Sequence, residues 1–333
     1  MSLRQKLRAM VSSSLFAGLY LLRIFAVSRA NYYPGMRNVY VSTRGRNRAL
    51  ARLNGLLHPW KRQAGPSVLA QRENAELRVA ELRREGLAVY EAAVPARMVR
   101  AIREQVDATS LMPVWANGQR GPEALKFNPA AAVPGLVTAW MDEQKVVEIP
   151  DVIRLAMDPS ILNTARAYLG CEPVFDLTAL WWTQPSTTAS SESAQAWHFD
   201  CDRVRFLKFF IYLTDVDSGT GPHFFVKRTH LEKPPRLWRD GRLSDREIED
   251  AGLAGQITEI LGTAGTVFAE DTIGFHKGIP ARRGCRLVLE LQFATDLFGA
   301  PSERWMASPE VKQLLTAHGF GGSRVFSHFR NLV

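Results

Sequence analysis

The chain has 333 residues, 46% of them apolar and 23% charged, with a formal net charge of +9. That length supports one domain of about 250 residues plus an extension, or two smaller domains, and the composition excludes collagen-like, coiled-coil and bulk-disordered classes. Residues 1–72 hold Lys6, Lys61 and eleven arginines but no Asp or Glu, which leaves residues 73–333 at a net −4. The body is therefore mildly acidic overall, and no nucleic-acid partner is expected.

The first element in the chain is an apolar stretch, Met10 to Val27, broken by Ser12, Ser13, Ser14 and Arg23 and flanked by basic residues. A central arginine disfavours a spanning helix. An interfacial helix reaching anionic headgroups suits the pattern, giving peripheral membrane contact through residues 1–30. A cleaved signal peptide or organellar presequence, or a helix packing on its own body, remain alternatives. Residues 31–66 are basic and irregular and read as a linker, so the expected division is an extension over 1–66 and one domain over 67–333.

From Ser67 the pattern becomes helical through Leu77, Ala80 and Leu82, then Gly86-Leu-Ala-Val-Tyr90 reads as a strand. Pro95 opens a second helix, Ala96 to Val106, and a third is expected from Asp151 to Leu169. Beyond Pro173 the texture changes to short β-rich runs: Val174–Thr183, Arg205–Thr214, His223–Lys227, Thr266–Ala269 and Arg286–Thr295. The expected class is α+β, a sandwich or barrel core over about 174–298 with a helical N-terminal layer. Cys171, Cys201 and Cys285 are odd in number and form no CxxC pair, which points to a reducing, cytoplasmic compartment.

Trp197-His198-Phe199-Asp200 places an imidazole and a carboxylate at i and i+2, on one face of an extended segment. His276, in Gly274-Phe-His-Lys-Gly278, is the best third ligand. Two histidines and one carboxylate make a facial triad that leaves open positions on a metal. Ten residues on, Arg286 opens an apolar strand and can hold a carboxylate bidentately. On the strand 205–214, Lys208 shares a face with Phe206, Phe210 and Tyr212. It either meets an anion, as a second contact to a bound dicarboxylate, or reaches out at an edge.

The order HxD, distal His, Arg resembles the Fe(II)/2-oxoglutarate dioxygenases of the double-stranded β-helix (jelly-roll, cupin-like) fold. The runs Phe209–Asp217, Gly221–His230 and Phe268–Gly278 make the likeness closest to the phytanoyl-CoA dioxygenase family, over roughly residues 85–300. The resemblance implies Fe(II) on His198, Asp200 and His276, and 2-oxoglutarate on Arg286 and Lys208. It implies O₂ as co-reactant and ascorbate as support in vitro. The implied reaction is hydroxylation, with release of succinate and CO₂. Halogenating relatives lack the carboxylate that Asp200 supplies, so hydroxylation or desaturation is expected here. One departure is Arg228-Thr-His230, where the family often reads Gly-Ser-His, which puts the local turn in doubt.

His223 and His230 are expected to be structural, Cys201 and Cys285 to be packing residues, and one of Trp181 and Trp182 to line the pocket. Glu270 and Asp271 are expected to orient His276 from behind. The substrate is expected to be a small or lipid-linked molecule. Two rival readings are a cupin-like dioxygenase that does not use 2-oxoglutarate, against which Arg286 argues, and a degenerate membrane-associated binding module.

Overall fold

The computed structural model describes residues 48–69, 75–131, 133–186, 195–239, 241–298 and 303–332. The expected membrane-contacting or targeting segment, residues 1–30, lies outside them. Among the described residues no helix is long and apolar enough to cross a membrane.

Among the described residues ten strands follow in chain order: β1 (Leu87–Tyr90), β2 (Met112–Trp115), β3 (Leu136–Trp140), β4 (Val174–Thr183), β5 (Phe206–Tyr212), β6 (His223–Val226), β7 (Ile257–Ile260), β8 (Val267–Glu270), β9 (His276–Gly278) and β10 (Arg286–Ala294). They form a seven-stranded sheet in the order β1-β8-β5-β10-β4-β3-β2 and a three-stranded sheet in the order β7-β6-β9. Every pairing is antiparallel. Phe225 and Ile260 of the smaller sheet pack with Phe210, Tyr212, Phe268 and Val288 of the larger, so the two face each other. This is consistent with a jelly-roll barrel.

The central strands β5 and β10 are buried along their whole length, because both faces of the large sheet are covered. On the outer face, Leu207, Phe209, Ile211, Leu287, Leu289 and Leu291 share a core with helical residues such as Leu82, Ile102, Ile153 and Leu162. Those helices are α2 (Ala75–Glu85), α3 (Ala96–Ala108), α5 (Pro150–Ala156) and α6 (Pro159–Leu169), with α1 (Arg48–Leu57) before them and the short α4 (Glu143–Val146) between α3 and α5. The alternate residues of the same strands, Lys208, Phe210, Arg286 and Glu290, turn inward to a cavity. One alternation thus builds the core with one face and the site with the other.

Two expectations are corrected. The single helix over 151–169 is two, because Pro159 takes the first helical position of α6 and Asp158 caps it by accepting from Ser160 N at 2.8 Å. Residues 48–66 are also not a free linker. Asn54, fully buried on α1, donates to Asp296 Oδ2 at 2.8 Å, and Gln63 N donates to Asn163 Oδ1 at 2.9 Å. These anchors are polar and distant in sequence, so hydrophobic periodicity carries no trace of them.

The departure at Arg228 has a clear form. Arg228 adopts φ 68°, the left-handed region where glycine is at ease. Its backbone N–H donates to Glu85 O at 2.8 Å, and its guanidinium meets both Glu85 carboxylate oxygens at 3.1 and 3.2 Å. Residues 227–231 form a turn, and the arginine is tied to the end of α2.

Candidate metal centre and carboxylate site

His198 and His276 face each other across a two-way backbone bridge: His198 N donates to His276 O at 3.1 Å, and His276 N to His198 O at 2.9 Å. Asp200 N donates to Thr272 O at 2.8 Å, which locks the His-Phe-Asp segment against the one that carries His276. The imidazole centroids lie 4.1 Å apart. One ligand atom from each of His198, Asp200 and His276 falls within 4.8 Å of the other two. The three side chains expected from sequence converge.

The second nitrogen of each histidine is already occupied. Nδ1 of His198 lies 2.9 Å from Ala196 O, and Nδ1 of His276 lies 3.0 Å from Gly274 O. A carbonyl only accepts, so Nδ1 carries the proton in both rings and each Nε2 presents a lone pair, the form a metal ligand needs. Burial keeps both rings neutral: it pushes His276 down to about 3 and His198 well below its ordinary value, with the neighbouring ring adding to the effect. For Asp200 burial acts the other way, raising the pKa, but the Lys208 ammonium, through its charge and its hydrogen bond, outweighs it and holds the carboxyl well below its usual range. Two neutral imidazoles and one ionised carboxylate fit a divalent cation that prefers mixed nitrogen and oxygen donors.

Lys208 is buried, not at an edge. Its ammonium lies 3.0 Å from Asp200 Oδ2, 3.2 Å from Asp202 Oδ2 and 3.0 Å from Glu290 Oε1. Burial alone would lower its pKa, yet the three carboxylates hold it well above the ordinary lysine value. An ammonium has three donors, and protein acids already surround this one. The geometry therefore assigns Lys208 to Asp200 rather than to a ligand carboxylate.

Arg286 stands at the start of β10, buried, and lines the same cavity. Its guanidinium donates to the Gly221 carbonyl and, at 3.4 Å, to Thr183 Oγ1, while Nε has no hydrogen-bond partner. Among the described residues no acidic side chain pairs with it. Burial lowers its pKa from the usual value, but a guanidinium stays charged. A buried cation without an acid is costly, and an incoming carboxylate would meet that need. Gly221 sits at φ 79° with its α-carbon against the backbone of Ile279 and Ala281, so only glycine brings its carbonyl here without strain.

The cavity has a volume of about 540 Å³. Trp181 lines it and Trp182 does not; Trp140 on β3 stacks on Trp181 at 4.6 Å. His223 also faces the cavity, its ring 5.6 Å from and nearly parallel to His276. Its Nε2 approaches Glu270 Oε2 to 2.9 Å, out of line for a hydrogen bond. Burial followed by the Arg286 charge brings His223 down to about 3, while burial and the Asp200 charge raise Glu270 well above the usual carboxylate value. Of the two acids expected behind His276, Glu270 comes within 3.8 Å of Nδ1, whereas Asp271 turns away to accept from Tyr168 Oη. The local sequence hides that choice, since adjacent strand residues point to opposite faces. Asp202 and Trp140 carry no signal in the sequence, and for Glu290 the signal is its even spacing from Arg286 on one strand.

No family model and no curated protein matches this chain. Solved structures do. The non-heme alpha ketoglutarate dependent epimerase SnoN from nogalamycin biosynthesis is 18% identical over 66% of this chain and 82% of its own, with a TM-score of 0.50. EctD from S. alaskensis, solved with 2-oxoglutarate and 5-hydroxyectoine, is 19% identical over 72% and 86%, at 0.47. HygX from Streptomyces hygroscopicus, solved with nickel and 2-oxoglutarate, is 14% identical over 72% and 94%, at 0.46. The likeness to SnoN establishes that this chain shares the fold of a non-heme alpha ketoglutarate dependent enzyme.

Proposed function

We propose that this protein is an Fe(II)- and 2-oxoglutarate-dependent oxygenase, similar to the phytanoyl-CoA dioxygenase family, that hydroxylates a small or lipid-linked molecule. The observation that carries the reading is the pairing, in one cavity, of a convergent His198–Asp200–His276 cluster with a buried Arg286 that has no acidic partner among the described residues. Iron, when bound with 2-oxoglutarate and O₂, supplies the oxidising power for C–H hydroxylation, with succinate and CO₂ as co-products.

The chain's own residues do the rest. His198 and His276 offer Nε2 lone pairs because Ala196 O and Gly274 O hold their Nδ1 protons. Lys208 keeps Asp200 ionised and fixes its orientation through Oδ2. Arg286, aimed by Gly221 O and Thr183 Oγ1, receives the far carboxylate of 2-oxoglutarate. Phe210 and Trp181 narrow the cavity and limit the water that reaches it. Residues 1–30 contact a membrane surface in this proposal, and removal of residues 1–47 would then lower turnover only of a membrane-presented substrate.

Succinate formation tests the activity. Purified protein given Fe(II), ascorbate and 2-oxoglutarate in air should release succinate slowly without a second substrate. His198→Ala, Asp200→Ala and His276→Ala should each abolish it. Succinate release undiminished in all three variants would refute the assignment.

A further inference from the structure

The mouth of the same cavity carries features that the metal and its 2-oxo acid leave unused. Trp140 and Trp181, neighbours on β3 and β4, stack with an interplanar angle of 15° and are only partly buried. Both line the cavity on the inward face of the sheet that also bears Arg286 and Glu290. Large indoles left partly exposed beside a reactive centre form a platform for a ring, since stacking on an aromatic face needs no directional partner.

Charge is the second feature. Among the described residues five basic side chains line the cavity, Arg120, Lys208, Arg239, Arg242 and Arg286, against three acids, Asp200, Asp202 and Glu290. A divalent metal and the two carboxylates of 2-oxoglutarate cancel each other, so the loaded site keeps its positive excess. The acids are gathered around Lys208, deep in the site. Among the described residues the other basic side chains of the lining, Arg120, Arg239 and Arg242, are exposed at the mouth. Arg239 shares its charge with Glu247. Arg120 has no ion-pair partner among the described residues, and Arg242 lines the cavity with an exposed side chain. Guanidinium groups suit oxyanions, which they grip by paired N–H donors.

We propose, resting on the oxygenase reading above, that the substrate is a ring-bearing oxyanion, a phosphate or carboxylate ester-sized molecule whose ring lies on Trp140 and Trp181 and whose anionic group meets Arg120 and Arg242. The oxyanion sets orientation at the mouth, and the ring sets which C–H bond faces the triad.

Calorimetry on the full chain loaded with Ni(II), a redox-inert stand-in, and 2-oxoglutarate tests this with four probes: phenyl phosphate, phenylacetate, methyl phosphate and phenyl β-glucoside. Because 2-oxoglutarate already occupies Arg286, selectivity reports the mouth alone. An anionic phenyl probe should bind about ten-fold tighter than the uncharged glucoside, and the tighter of the two names the oxyanion. Arg120→Ala and Arg242→Ala should each weaken it by about three- to ten-fold and leave 2-oxoglutarate binding unchanged. Trp181→Leu should erase the preference for phenyl over methyl phosphate. Equal binding of the glucoside, or anionic probes indifferent to both arginine variants, would overturn the substrate class. Failure of 2-oxoglutarate itself to bind the Ni(II) protein would instead overturn the oxygenase reading, so the two failures are separable.

Discussion

Lys208→Met separates two roles for one lysine. The ammonium is buried within 3.2 Å of three carboxylates, on Asp200, Asp202 and Glu290. At an effective dielectric of about 20, each such contact is worth roughly 5 kcal/mol of Coulomb energy before desolvation is counted. Desolvation offsets most of it, and removal of one partner of a buried ion pair costs on the order of 3–5 kcal/mol. The variant leaves three carboxylates facing a vacated point. Metal-free protein should therefore melt roughly 10 °C lower than the parent. Ni(II) should restore much of that loss, because a divalent cation on Asp200 replaces the missing charge. Since Lys208 serves Asp200, the affinity of the metal-loaded variant for 2-oxoglutarate should change by less than about three-fold. Thermal melts with and without Ni(II), paired with calorimetry of 2-oxoglutarate, read both effects. An unchanged melting temperature together with a large loss of 2-oxoglutarate affinity would refute this reasoning and return Lys208 to the ligand contact expected from sequence.

Other consequences follow from single contacts. Gly221→Ala adds a Cβ that would lie 2.7 Å from Ile279 O at a φ of 79°; it should destabilise the fold by about 2–3 kcal/mol and weaken 2-oxoglutarate binding by displacing the Arg286 acceptor, as denaturant melts and calorimetry will show. Glu143, which accepts from Thr178 N at 3.0 Å, is raised by burial to about 7. A carboxyl whose folded pKa exceeds its unfolded value binds more protons in the native state, so its contribution declines as pH rises from about 4.5 to about 7 and is level above that. Glu143→Gln should thus gain roughly 2 kcal/mol over the parent at pH 8 and little at pH 4.5, read from urea melts at the two pH values.

How far the sequence disclosed this molecule depends on the range of the interactions involved. The ends of β4, β5 and β10 were legible to within about two residues because long aromatic and aliphatic runs of this kind form central strands, buried on both faces. His198 and Asp200 were legible because strand periodicity alone puts them on one face, and Arg286 because it stands where an apolar strand begins. The break at Pro159 was also written in the chain, as Asp158-Pro159, a cap followed by a proline that opens a new helix. Lys208 was placed on the correct face, yet its partners were not legible: Asp202 and Glu290 are 6 and 82 positions away, and only the register of β5 against β10 brings Glu290 near. The docking of α1 through Asn54 and Asp296 spans 242 positions and has no local signature. Strands β2, β3, β7 and β9 are short, three to five residues each, and their pairing rather than their composition defines them.

The most direct test of the central claim is anaerobic calorimetry of 2-oxoglutarate binding to the Fe(II)-loaded parent and to Arg286→Ala. One equivalent should bind only when iron is present. The variant should retain iron but bind 2-oxoglutarate about 100-fold more weakly, the worth of a lost bidentate charge-assisted contact. Binding indifferent to iron, or equal in the variant and the parent, would contradict a site in which the triad and Arg286 hold the two ends of one keto-diacid.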